Sequence, residues 1–190
     1  MSGIAGLTRR SMLKTFGAVG AASLLRPALA TGQPAPTDAD IFNFALNLES
    51  LEAEYYLRGT TGEGMSAADA GTTPGQVLGA SKKVSFKDDD LRQFLEEVAQ
   101  NELAHVRFYR KQLGAQAVSR PAIDLGGFAA AAKAAGLGDN FDPFANEMNF
   151  LLGGMLMEDV GVTAYKGGCC ASSISPTSLG SRAAGYSPKA

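Results

Sequence analysis

The stretch NELAHVRFYRKQLG, residues 101–114, contains the only histidine in a chain of 190 residues. His105 follows Glu102 by three positions, and residues three or four apart on a helix are neighbours on one face. Acidic residues at 88–90 and basic residues at 110–111 suit the two ends of the helix dipole, and Gly114 suits the position just past a helix end. The sequence therefore predicts one long helix in which Glu102 and His105 share a face.

This helix has an apolar stripe that contains one charged residue. At 100° per residue, the stripe consists of Leu91, Leu95, Val98, Tyr109 and Leu113. Glu102 fills the gap in the stripe between Val98 and Tyr109, and His105 lies about a sixth of a turn away. Two interpretations follow: Glu102 and His105 are ligands of a metal ion, or His105 is a buried histidine that hydrogen-bonds to Glu102 or Tyr109.

Two more helices are predicted, one earlier in the chain and one later, so the helix that contains His105 is the second of three. An earlier helix begins with Asp38 or Asp40 as its cap and runs to Arg58, with Gly59 just past its end. A later helix begins at Asp142, with Pro143 in its first turn, and runs to about residue 168. The connections 59–87 and 115–141 contain no strand candidate, so the fold class is an all-α helical bundle.

Two helices carry buried-face carboxylates. In the first helix, Glu49 and Glu52 lie on the apolar side, whereas Glu54 is expected to point to water. In the third helix, Glu158 lies beside a predicted stripe of Phe144, Met148, Leu151, Met155 and Val162. Burial of an unpaired carboxylate costs several kcal/mol, so these glutamates need a partner. The methionines at 148, 155 and 157 are interpreted as core residues rather than a copper site.

An internal repeat relates the first and third helices. LESLEAEYY (48–56) places Glu49 seven residues before Tyr56, and MEDVGVTAY (157–165) places Glu158 seven residues before Tyr165. Carboxylate-bridged di-iron bundles use one Glu from each of two helices and a Glu-x-x-His from each of two others. The predicted ligands are Glu49, Glu102, His105 and Glu158, with Glu52 as a substitute for Glu49, and both tyrosines are expected to bond the carboxylates.

Three blocks of sequence resemble a known family: FNFALNLESLEAEYYLRG, NELAHVRFYR, and FDPFANEMNFLL followed by VGVTAYKG. Over residues 38–168 they are similar to the ferritin-like domain of the desiccation-related protein family of plants, fungi and bacteria. The resemblance implies an up-down bundle with a long crossover and an exported, stress-associated protein. It also implies iron as the cofactor, held by Glu49, Glu102, His105 and Glu158.

The chain departs from this pattern after residue 168. The fourth helix, with its second Glu-x-x-His, is missing, and residues 169–190 are predicted to form an irregular tail. We interpret the tail as the product of a frameshift or a wrongly assigned gene end, which leaves the di-iron site incomplete. Because a bundle without its fourth helix exposes an apolar groove, we expect a homodimer formed through this open face.

The first thirty residues resemble an export signal. Arg9 and Arg10 form a twin arginine before a mildly apolar run, and ALA at 28–30 fits a cleavage site after Ala30. The alternative is an ordinary secretory signal with two coincidental arginines. Residues 31–37 form a linker, and the mature protein is expected to be periplasmic or secreted.

The charge balance excludes two classes of partner. Cleavage removes four of the 17 basic residues and leaves 13 against 19 acidic ones, a net charge of −6. This argues against nucleic acid and an anionic membrane surface, and no apolar run is long enough to span a bilayer. Three functions are considered: a metal protein that oxidises iron or consumes peroxide, a non-catalytic scaffold without metal, and a truncated product that folds poorly.

Overall fold

A computed structural model describes residues 36–79, 83–127 and 140–171, together with positions 132–133, 136 and 138. The predicted signal peptide with Arg9, Arg10 and the cleavage site after Ala30 lies outside the described residues, as does the tail from residue 172 onward. The described helices are α1 (Asp38–Thr61), α2 (Ala67–Ala70), α3 (Asp89–Leu113) and α4 (Glu147–Ala171), with a 3-10 turn at Gly114–Gln116. The prediction of an all-α bundle is confirmed.

Helix α1 begins and ends at other residues than predicted. Thr37 is the N-cap: its hydroxyl accepts a hydrogen bond from the Asp40 amide at 3.2 Å, while the Asp40 carboxylate accepts one from the Thr37 amide at 2.9 Å. The helix continues through Gly59 and ends at Gly62, which has a left-handed φ of 89°. Gly59 lies inside the helix, and the Phe150 ring occupies the space that a Cβ at this position would need. It is a packing residue rather than a helix terminator.

Helix α3 has the ends that the sequence predicted. The Asp88 side chain accepts hydrogen bonds from the amides of Asp90 and Leu91 at 2.9 and 3.0 Å. At the other end, Gly114 caps the helix with a positive φ of 54°. Both ends of this helix are therefore marked by local capping residues, and Glu147 of the later helix adds hydrogen bonds from the amides of Lys87 and Asp88 at the start.

Helix α4 begins five residues later than the predicted cap. Asp142 accepts a hydrogen bond from the Phe144 amide at 2.9 Å and so stabilises a turn before the helix. Asn146 instead lies directly before α4 and accepts a hydrogen bond from the Asn149 amide at 3.0 Å. The helix continues to Ala171, three residues into the segment predicted to be irregular.

The predicted apolar stripe of this segment is correct only in part: Phe144 is buried and Leu151 packs against the core. Met148, Met155 and Val162 are 59%, 44% and 54% exposed, whereas Phe150 and Met157 are buried. Of the three methionines assigned to the core, Met157 alone lies there. The buried face of α4 includes glycines, which do not contribute to a stripe of large apolar residues.

Both α3 and α4 run antiparallel to α1. The start of α1 meets the end of α3, where the side chain of Asn43 bonds the backbone of Gln116 and Val118. The end of α1 meets the start of α4, where the Tyr55 hydroxyl donates to the Phe150 carbonyl at 2.7 Å. The Tyr55 and Phe150 rings stack with centroids 4.5 Å apart and form the centre of the aromatic core. No helix in the described segments has the length and apolar character needed to cross a membrane.

A small parallel sheet joins the two connections, although no strand was predicted. Strand β1 (Val77–Leu78) pairs with β2 (Ile123–Asp124) in the register Val77 to Ile123. The Ile123 amide bonds the Gln76 carbonyl at 2.9 Å, and the Leu125 amide bonds the Leu78 carbonyl at 2.8 Å. Two residues are too few for a period-two pattern, so the sequence gives no signal for this pair.

Glu54 is completely buried, contrary to the prediction that it points to water. The Arg58 Nε donates to Glu54 Oε2 at 2.7 Å, and the Arg120 guanidinium forms an ion pair with Glu54 Oε1. The connections on either side of α3 fold over this face of α1 and bring Arg120 to it. The Met65 amide adds a hydrogen bond to Oε1 at 3.3 Å.

Candidate metal centre

Three of the predicted ligands meet between α1 and α3. The Nδ1 atom of His105 lies 2.9 Å from Oε2 of Glu102 and 3.0 Å from Oε2 of Glu49. The three ligand atoms all lie within 4.8 Å of one another. This is the only such group of metal-binding side chains in the described part of the chain. Antiparallel packing of the two helices produces the group, because Glu49 faces the turn that carries Glu102 and His105.

The group is buried on the carboxylate side and open on the imidazole side. Glu49 and Glu102 are 4% and 7% exposed, whereas the His105 side chain is 54% exposed. Hydrogen bonds with Glu102 and Glu49 raise the pKa of His105 to about 10, so the ring carries a proton at neutral pH. Burial raises the pKa of Glu102 above its usual range. His105 is therefore not the buried histidine of the alternative interpretation, and its partners are Glu102 and Glu49 rather than Tyr109.

Glu158 lies beside this group but outside it. Its Oε1 accepts a hydrogen bond from the Tyr56 hydroxyl at 3.1 Å, and the residue as a whole is exposed. Burial of its carboxyl and the nearby charge of Glu102 raise the pKa of Glu158. The structure thus brings together three of the four predicted ligands and places the fourth within electrostatic range.

Glu52 occupies the space between the group and α4. It is 5% exposed, and its Oε1 lies against Gly161 of α4, close to where a Cβ would stand. Burial, followed by repulsion from Glu49, Glu158 and Glu102, raises the pKa of Glu52 to about 9. The group of three contains Glu49, so Glu52 does not replace it there. A Cβ at position 161 would lie 2.9 Å from Oε1 of Glu52, so Gly161 gives the carboxyl room in its present position.

Two tyrosines link α1 and α4 reciprocally. Tyr165 of α4 donates its hydroxyl hydrogen to Oε1 of Glu49 on α1, and Tyr56 of α1 donates to Glu158 on α4. Burial raises the pKa of both hydroxyls above its usual range, so both remain donors. Each tyrosine of the internal repeat therefore bonds the glutamate of the other copy, a pairing that the seven-residue spacing alone did not specify.

Sequence comparison assigns the family. The ferritin-like domain family matches residues 37–184 of the chain. The chain belongs to this family. The match covers all the described helices and both sides of the site.

Two proteins are similar in sequence to this ferritin-like chain. The desiccation-related protein PCC13-62 of Craterostigma plantagineum is 31% identical over 140 residues, which is 69% of this chain and 43% of that protein. The ferritin-like catalase Nec2 of Nesocodon mauritianus is 27% identical over 135 residues, 68% of this chain and 43% of that protein. The chain thus spans less than half the length of either relative. No solved structure matches it.

The ferritin-like site has the donors and the charge that suit a cation. Two carboxylates and one imidazole are ligands that iron, manganese and zinc accept in proteins. Around them, the pKa values of Glu52, Glu102 and Glu158 are all raised, and His105 is the cation that lowers them. A bound metal ion neutralises such an excess of buried negative charge. Glu49, Glu102 and His105 could therefore hold a metal.

Proposed function

We propose that this ferritin-like stress protein is exported and binds a single iron ion through Glu49, Glu102 and His105. The observation that carries the proposal is the convergence of three ligand atoms within 4.8 Å on two packed helices. The two carboxylates are buried, so the geometry is held by the core rather than by mobile surface side chains.

Iron bound there would supply one-electron chemistry with oxygen or peroxide. The residues divide the remaining work. Glu49 and Glu102 provide negative charge, and His105 releases its proton so that Nδ1 can become a ligand. The exposed side of the His105 ring leaves the site open to small molecules from solvent. Because one relative is named a ferritin-like catalase, hydrogen peroxide is the first substrate to test.

Metal content tests this function directly. The protein is purified without a tag, incubated with Fe(II) under anaerobic conditions, desalted and analysed for iron. We expect about one iron per chain in the wild type and almost none in His105→Ala, which lacks the imidazole ligand. Glu97→Gln changes an exposed carboxylate on the same helix and should bind as the wild type does.

Less than about 0.2 iron per wild-type chain would contradict the metal site. That result would favour the alternative of a non-catalytic scaffold, provided that the protein still unfolds cooperatively. Retention of iron in His105→Ala would show that His105 is not a ligand, whatever the wild type binds.

The export proposal rests on Arg9, Arg10 and the ALA motif at 28–30. Replacement of both arginines by lysine should leave the uncleaved precursor in the cytoplasm, because the twin-arginine route depends on this pair. Cell fractionation measures the distribution. Normal export of the double variant would instead support an ordinary secretory signal.

We also propose that two copies of the chain pair through α4. Met148, Met155 and Val162 are exposed and recur every seven residues, so they share one face of the helix. Sedimentation of the wild type should give the mass of a dimer, and Met155→Glu should give that of a monomer. A monomeric wild type at micromolar concentration would contradict this pairing.

A further inference from the structure

We propose that Tyr165 is a positioning residue of the metal site, which fixes Glu49 so that one carboxylate oxygen faces Glu102 and His105. The inference rests on the proposed metal-binding function. Tyr165 belongs to α4, whereas the three ligands belong to α1 and α3, so the tyrosine acts from outside the ligand set.

The two oxygens of Glu49 have separate partners. Oε1 accepts the hydrogen bond from the Tyr165 hydroxyl, and Oε2 lies 3.0 Å from Nδ1 of His105. Glu49 is 4% exposed, so bulk water is largely excluded from its carboxylate. With Oε1 held, rotation of the carboxylate is restricted and Oε2 stays directed at the metal position.

Tyr165 is itself held by a second tyrosine. It also forms a hydrogen bond with Tyr109 of α3, four residues after His105. A tyrosine has one hydroxyl hydrogen, and Tyr165 donates it to Oε1 of Glu49. Tyr109 is therefore the donor to the Tyr165 oxygen. The directed chain from Tyr109 through Tyr165 to Glu49 joins all three long helices at the site.

Tyr56 provides a matched control in the same molecule. It is the counterpart of Tyr165 in the internal repeat, since it bonds Glu158 as Tyr165 bonds Glu49. Glu158, however, lies outside the group of three ligand atoms. Loss of either tyrosine hydroxyl removes one hydrogen bond between α1 and α4, but only the loss at Tyr165 frees a ligand.

The test compares Tyr165→Phe with Tyr56→Phe in two measurements. The first is a Co(II) titration of the full chain followed by visible absorption. Loss of a residue that hydrogen-bonds to a metal ligand typically lowers metal affinity about ten- to hundredfold. We therefore expect the Kd of Tyr165→Phe for Co(II) to rise by about tenfold or more, with a changed Co(II) spectrum. Tyr56→Phe should change the Kd less than about threefold and keep the spectrum.

The second measurement needs no metal. His105 is the only histidine, so its imidazole gives a single Cε1–H resonance in a carbon-correlated NMR spectrum. In the presence of a chelator, Tyr165→Phe should shift this resonance because Glu49 is released, and Tyr56→Phe should not. A purely structural role for Tyr165 would lower the melting temperature of both variants similarly without moving either signature.

The outcomes separate the two proposals. If the wild type binds no Co(II), the metal-binding function fails, while a shift of the His105 resonance in Tyr165→Phe alone still supports the positioning role. If the resonance and the Co(II) affinity of Tyr165→Phe both match the wild type, the positioning role is wrong, and the metal site is unaffected. Equal changes in Co(II) affinity and in the His105 resonance for Tyr165→Phe and Tyr56→Phe would also overturn the positioning role.

Discussion

Glu49 and Glu54 are five residues apart on α1 and both are buried, yet their surroundings are opposite. Glu54 is 0% exposed and has Arg58 and Arg120 as ion-pair partners. Glu49 is 4% exposed and has two acidic neighbours, Glu52 and Glu102, with His105 as its cationic partner. The first carboxylate is matched by fixed positive charge within the protein, whereas the second is part of a cluster with a surplus of acid.

This difference separates a structural carboxylate from a functional candidate. A buried carboxylate that is already paired with guanidinium groups has no use for an external cation, although the pairing must remain intact. A buried cluster with excess acid is unfavourable unless protons or a cation compensate it. Burial alone therefore does not mark the site; the charge balance around each carboxylate does.

The largest expected effect comes from Glu54→Gln, which removes the carboxylate that Arg58 and Arg120 share. The variant leaves Arg120, only 10% exposed, without its carboxylate partner. Loss of one member of a buried pair typically costs about 3–5 kcal/mol, so the free energy of unfolding should fall by that amount in urea denaturation. The exposed Glu63→Gln serves as control. A loss below about 1 kcal/mol would mean that Glu54 and Glu49 do not differ as described.

Glu52→Gln should instead raise the free energy of unfolding. The pKa of Glu52 is raised from 4.5 to about 9, chiefly by burial, so the folded carboxyl retains a proton that the unfolded chain releases. Wild-type stability therefore falls as pH rises from about 4.5 to 9. With a chelator at pH 8, the variant should be more stable by about 1–3 kcal/mol, and the gain should vanish near pH 4.5.

Urea denaturation of both proteins at pH 4.5, 6 and 8 measures this difference. A variant that is less stable than the wild type at pH 8 would show that Glu52 is ionised and stabilised by a partner. In that case the acidic cluster would be balanced, and the contrast with Glu54 would disappear.

The smallest effect is expected at a partly exposed ion pair. Arg107 donates from Nε and Nη2 to the two oxygens of Asp69 at 2.8 and 2.9 Å, which lowers the pKa of Asp69. Because the Arg107 side chain is 59% exposed, Asp69→Asn should cost only about 0.5–1 kcal/mol at pH 7. The lowered pKa contributes stability above about pH 3.8 that is lost as pH falls further, so the cost should shrink in acid.

The thermal midpoints of wild type and Asp69→Asn at pH 7 and pH 3 test the pair. A cost as large as that of Glu54→Gln would mean that exposure to solvent does not weaken this ion pair. A cost that grows in acid would contradict the assigned pKa direction.

Features set by local sequence were predictable. Helix α3 was placed correctly because Asp88 and Gly114 act on adjacent backbone groups. The convergence of Glu49 with Glu102 and His105 followed from helical periodicity and the resemblance to a ferritin-like family. These inferences needed no knowledge of which loops cover which helices.

Features set by distant contacts were not predictable. Glu54 was misplaced because its partner Arg120 is 66 positions away, in a connection with no regular pattern. The start of α4 was misplaced because Asp142 and Pro143, which suit a helix start, stabilise a turn there instead. The buried side of α4 was missed because glycines lie against Tyr55, Tyr56 and Glu52, where a larger residue would not fit.

The β1–β2 pair has a consequence for the order in which the chain folds. Its strands lie on either side of α3, and the adjoining Gly75 and Arg120 are 45 positions apart. Closing such a long loop costs entropy before any contact repays it. Because this closure spans the whole of α3, we expect the sheet to form only after α3 has folded and packed against α1. The β1–β2 sheet would then join the two connections across α1 and α3 after these helices have paired.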